Sequence, residues 1–126
     1  MRIGKKLVAA TALISAIASG TMLTATPASA DVGIRLSTGH GVGVYGYYYD
    51  IDNNHKVAAD LVPWQHDGLD ADCFSWGQDL GYGSIWYHTV AEYHNDAGWS
   101  QHIFGWTYAP FVDGGAAMAR LPYCHY

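Results

Sequence analysis

The chain has 126 residues, with 6 Lys and Arg, 11 Asp and Glu, 7 His and 2 Cys. Residues 1–30 contain Arg2, Lys5 and Lys6 but no acidic or aromatic side chain, so residues 31–126 hold 3 basic and 11 acidic groups, a formal −8 with neutral histidine. Three cations cannot neutralise a phosphate track, which excludes nucleic-acid binding; fewer than a hundred residues build one domain; and the 18 aromatics in that stretch exclude a disordered tail.

Met1 to Lys6 is a basic segment, and Leu7 to Ala18 is an apolar run shorter than the roughly 20 residues a spanning helix needs. Gly20 and Pro27 break it before Ala28-Ser29-Ala30, a small-x-small cleavage site. Residues 1–30 are therefore expected to be a helical secretory signal peptide, removed to leave Asp31 first. The product is expected to be secreted, to the cell envelope or beyond, with no membrane insertion after signal removal.

Export decides how the cysteines are read. Cys73 and Cys124 allow one intramolecular pairing in an oxidising compartment. Closing that loop of 52 residues would stabilise the fold by about 4 kcal/mol on chain-entropy grounds. A catalytic thiol would leave the other cysteine unpaired outside the cell, and neither has the C-x-x-C spacing of a zinc site.

The segment Val42 to Tyr49 alternates with period two and predicts a strand, followed by turn chemistry over Asp50-Ile51-Asp52-Asn53-Asn54. Lys56 to Val62 resumes an extended pattern that Pro63 ends. His66-Asp67-Gly68 is a second turn, and Ala71 to Trp76 a short strand. Gly77 to Ser84 holds three glycines and predicts a loop. Ile85 to Tyr93, rich in β-branched and aromatic residues, is the best strand in the sequence. Asn95 to Gly98 turns again, Phe104 to Tyr108 leads to Pro110, and Ala116 to Arg120 predicts one helical turn. Beyond the leader no helical stripe persists over three turns. Many short strands with frequent turns argue an all-β barrel or sandwich.

Four runs, Asp72-Cys73, Gly83-Ser84-Ile85-Trp86-Tyr87, Gly105-Trp106-Thr107-Tyr108-Ala109-Pro110-Phe111-Val112 and Pro122-Tyr123-Cys124, follow one another in the order of a known pattern. Over about residues 57–124 the sequence resembles the bacterial SH3-like domain of small secreted actinobacterial proteins. It departs from that pattern at His55 to Asp60 and in a longer connection from Tyr93 to Phe104. The resemblance implies a small SH3-like barrel of five or six short strands over 57–126, with 31–56 as an N-terminal strand and turn extension. It also implies a non-catalytic module that contacts peptidoglycan or peptide.

Five Trp and ten Tyr exceed what one small core can enclose. Trp86 and Trp106, with Phe74 and Val90, read as core. Tyr45, Tyr47 and Tyr49 share one face of a regular strand, and Trp64 and Trp99 sit beside turns. These five are the candidate ligand-binding residues, because exposed rings stack on sugars or extended peptides at little loss of rotamer entropy. The Asp50, Asp52, Asn54 triplet opens like a calcium loop. It has His55 where glycine is needed and Leu61 where a bidentate glutamate belongs, so an Asx-rich turn is the better reading. The seven histidines form no H-E-x-x-H or H-x-H pair, and no serine lies in a nucleophile elbow. No metal, cofactor or catalytic residue is expected. Two function classes remain beside a small hydrolase: a binding module for cell-wall glycan or peptide, and a proteinaceous inhibitor whose partner is an extracellular enzyme.

Overall fold

The computed structural model describes residues 31–125. The signal-peptide reading falls on residues outside these. Residues from Asp31 onward form one compact unit. Four strands make an antiparallel meander: β1 (Val32–Arg35), β2 (Gly68–Trp76), β3 (Ile85–His94) and β4 (Trp99–Tyr108), hydrogen-bonded in that order. A short helix, α1 (Ala109–Val112), follows β4, and single 3-10 turns lie at Asn53–His55, Pro63–Gln65 and Ala116–Arg120.

The chain is thus mostly β, as its strand-rich pattern predicts, but the expected barrel of five or six strands is an open sheet of four. The difference lies at residues 42–62. Val42 bridges Leu61, and Tyr45 bridges both Lys56 and Trp106, without building a full strand. The backbone leaves extended pairing after Tyr45, Asp50 adopts a left-handed φ of 53°, and a 3-10 turn follows at Asn53–His55. Asx chemistry closes that turn, with Asp52 Oδ1 accepting from the Asn54 amide at 2.8 Å.

The sheet buries side chains on both faces. One layer joins Ile34, Leu69, Ala71 and Tyr87 to Val42, Val44, Leu61 and Val112. The other joins Trp86, Trp106, Tyr108 and the Cys73–Cys124 disulfide. Coverage of both faces explains why Trp86, Tyr87, His88 and Thr89 are buried in succession along β3. Between them the Thr89 and Thr107 hydroxyls satisfy each other at 2.6 Å. Gly105 lets the 44–45 segment lie directly on β4, since a Cβ there would stand 2.6 Å from Val44 Cγ1.

Cys73 and Cys124 are bonded, with Cα atoms 5.0 Å apart. The bond ties the C-terminal segment to β2, where the Cys124 amide donates to the Phe74 carbonyl at 2.8 Å and the Phe74 amide to that of Pro122 at 3.0 Å.

Irregular register decides which residues are inside. Asp70 pairs with Ala91 but Ala71 pairs with Thr89, so Val90 is skipped. One extra residue reverses the alternation. Glu92 consequently shares the side of its partner Leu69 and is fully buried.

Candidate binding cleft

The predicted tyrosine stripe divides. Tyr45 exchanges two backbone hydrogen bonds with Trp106, at 2.9 and 2.7 Å. Its half-buried ring stands edge-on to Trp86, with centroids 6.1 Å apart. Past Gly46 the chain is a loop, so strand alternation no longer orders the rings. Tyr47 and Tyr49 are 62% and 57% exposed, whereas Tyr48 lies half-buried on Trp106 with centroids 4.3 Å apart.

This loop is held from several sides. The Gly46 amide donates to the His55 carbonyl at 2.7 Å, and the Gln78 amide to that of Tyr48 at 2.7 Å. The Gln78 side chain accepts from the Ile51 amide at 2.9 Å, and the Tyr49 hydroxyl donates to the Trp76 carbonyl at 3.3 Å. Gly77 is required beside it, because a Cβ would meet the Tyr48 carbonyl at 2.5 Å. Such anchoring holds the backbone that carries the exposed rings.

Two adjoining hollows result. The first, of about 390 Å³, is lined by Tyr47, Tyr48, Tyr49, Asp50 and His55. The second, of about 560 Å³, is lined by Gly46, Tyr47, Tyr48, His88, Phe104 and Trp106. Phe104 is 80% exposed and stacks on the His88 ring, interplanar angle 13°. His88 is oriented from behind by Asp72, Nδ1 to Oδ1 2.7 Å. Asp72, Cys73 and His88 are the one group among the described residues clustered closely enough for a metal. Cys73 is oxidised to the disulfide and supplies no thiolate.

Tyr48, His88, Phe104 and Trp106 thus join Tyr47 and Tyr49 in the cleft. The sequence carried one signal for two of them, the i, i+2 spacing of Phe104 and Trp106 in β4.

Trp64 and Trp99 lie elsewhere. Trp64 is exposed in the 3-10 turn Pro63–Gln65. That turn is tied to the β3–β4 hairpin by the Asp96 amide, which donates to the Gln65 carbonyl at 3.1 Å. Trp99 opens β4, seven residues before Trp106, a span of about 23 Å in an extended strand. Its indole stacks on His94 with centroids 4.1 Å apart and an interplanar angle of 16°.

Beneath Trp99 is a buried polar cluster that sequence reasoning missed. His94 Nδ1 lies 3.0 Å from Asp67 Oδ2, and Nε2 faces Glu92 Oε1. All three residues are buried. Asp67 Oδ2 also accepts from the Val62 amide at 2.9 Å, while Asp67 Oδ1 and Glu92 Oε2 have no partner. The two carboxylates bond to the two nitrogens of one imidazole, so the cluster fastens Val62–Asp67 to β3. The hollow outside it, about 470 Å³, is walled by Arg35, Leu36, Pro63, His66, Asp67 and Asn95.

Elsewhere, Tyr87 donates to Asp113 Oδ1 at 2.8 Å. Burial, and then this bond, hold its hydroxyl far above the usual tyrosine range.

In comparisons with known proteins, no family model matches this sequence, and no curated protein or solved structure matches it.

Proposed function

We propose that the region from Asp31 onward is a secreted, non-catalytic binding module that contacts cell-wall glycan or peptide through the Tyr47–Tyr49 cleft. The observation carrying this reading is the exposure of Tyr47, Tyr49 and Phe104 around hollows backed by Tyr48 and Trp106. Large rigid rings left in water, on a loop tied down by backbone hydrogen bonds, offer contact area at low entropic loss. The disulfide is compatible with an oxidising, extracellular location.

Kinship with bacterial SH3-like domains belongs to the same proposal. It is supported by backbone hydrogen bonding that continues beyond the meander, through Tyr45 beside Trp106 of β4 and residues 122–124 beside β2.

Co-sedimentation with purified cell wall tests the reading. The folded protein should pellet, and a Tyr47→Ala, Tyr49→Ala, Phe104→Ala triple variant should stay in the supernatant. Equal pelleting of the two proteins would overturn it. So would inhibition of secreted hydrolases without wall binding, the outcome for an inhibitor.

A further inference from the structure

Resting on that binding reading, we propose that the smaller hollow takes an alkylammonium group, the lysine side chain of an extended peptide. Three of its five wall residues are tyrosines, and the fourth is Asp50. Aromatic faces carry negative quadrupole charge, and an ammonium placed over them near a carboxylate is attracted by both.

No cation of the described residues already fills that role. Arg35 lines the separate hollow beside Asp67, Lys56 is held by Asp60 at 2.9 Å, and Arg120 ends the 3-10 turn at Ala116–Arg120. His55, the fifth wall residue, directs Nδ1 to the backbone carbonyl of Asp50 at 2.9 Å and lies 3.6 Å from Asp52 Oδ1. Its ring supports the loop and meets Tyr47 edge-on, centroids 5.4 Å apart. The formal −8 of residues 31–126 adds a long-range field of the same sign.

The neighbouring hollow explains why the ammonium is carried on a peptide. It shares Tyr47 and Tyr48 and adds Phe104, Trp106, the His88 ring under Phe104 and the side-chain-free Gly46. An extended peptide sets alternate side chains on one side, so it can place lysine among the tyrosines and an apolar residue over Trp106. A saccharide can stack on the same rings but brings no positive charge to meet Asp50.

The test is a titration read from the ring-proton NMR shifts of Tyr47, Tyr48 and Tyr49. Acetyl-Lys-Gly-Leu-amide should shift them saturably. The same tripeptide with norleucine for lysine keeps the hydrocarbon stem without the charge and should bind about tenfold more weakly. Asp50→Asn should weaken the lysyl peptide several-fold, and asparagine accepts the left-handed backbone at this position without unfolding. Equal affinity for both tripeptides would overturn the proposal. So would chitotriose shifting these rings when the lysyl peptide does not, an outcome that leaves the cleft a binding site. If no probe moves them and wall binding also fails, the binding reading falls with it.

Discussion

Two parts of this molecule invert the usual placement of chemistry. Under the β3–β4 hairpin, three ionisable side chains, Asp67, Glu92 and His94, are buried. At the 46–50 loop, large aromatic rings stand in water. Each inversion is unfavourable by itself, and each is stabilised differently. The buried cluster is held by two histidine–carboxylate contacts, with one oxygen of each carboxylate bonded to the shared imidazole. The exposed rings are carried on backbone that is hydrogen-bonded to neighbouring segments. The polar groups placed inside fasten Val62–Asp67 to β3, and the aromatic groups placed outside form the surface proposed to bind.

Substitutions should separate these roles. The largest effect is expected at Trp106, which belongs to both, since it is core on one side and backs the cleft on the other. Trp106→Ala should lower stability by about 3–5 kcal/mol in urea denaturation and abolish wall retention. A thermally silent Trp106→Ala would mean that core and cleft are divided differently.

His94→Ala comes next. It leaves Asp67 and Glu92 buried without their shared partner, and should cost about 3 kcal/mol in stability while the refolded fraction still binds. His66→Ala is its control. His66 lies at the same 3.0 Å from Asp96, but with side chains 71% and 53% exposed, and the change should stay within about 0.5 kcal/mol. Equal losses would show that burial does not set the difference.

Alkali should act through Tyr87. An unfolded tyrosine ionises near pH 10, whereas the folded Tyr87 keeps its proton well above that. Stability is then fully present below about pH 10 and falls as pH rises further, because the unfolded chain releases a proton that the folded one retains. Tyr87→Phe should flatten this decline in denaturation curves recorded from pH 8 to 11.5. An unchanged slope would assign the alkaline loss to other groups.

The smallest stability change is expected at the cleft. Tyr47→Ala combined with Tyr49→Ala should shift unfolding by no more than about 0.5 kcal/mol, yet remove wall retention. A large stability loss with retention intact would move these rings from surface to scaffold.

Much of this division was legible in the residues, though unevenly. β3 announced itself through β-branched and aromatic density, the turn at Asn95–Gly98 through its composition, and the disulfide through the count of two cysteines. Trp86 and Trp106 were expected inside and are buried. The tyrosine stripe failed as a stripe because alternation predicts sidedness only while the backbone stays extended. After Tyr45 it does not, so Tyr48 takes the inner position between exposed neighbours. Glu92 and His94 were illegible because a skipped residue, Val90, changes which side of β3 they occupy. Trp64 and Trp99 sit beside turns as expected, but hydrogen bonding ties their turns to each other and not to the tyrosine loop.

The link between Cys73 and Cys124 also determines what one proteolytic cut would do. Gly81, Tyr82 and Gly83 form an exposed loop tip between the two cysteines. A protease cleaving there leaves two fragments still joined covalently, with the cleft residues on both sides of the nick retained in one molecule. A cut at the exposed Asp52–Asn54 turn lies before Cys73. It leaves Tyr47, Tyr48, Tyr49 and β1 attached by hydrogen bonds and packing alone. The staple thus protects the scaffold against nicking more securely than it protects the surface that the scaffold displays.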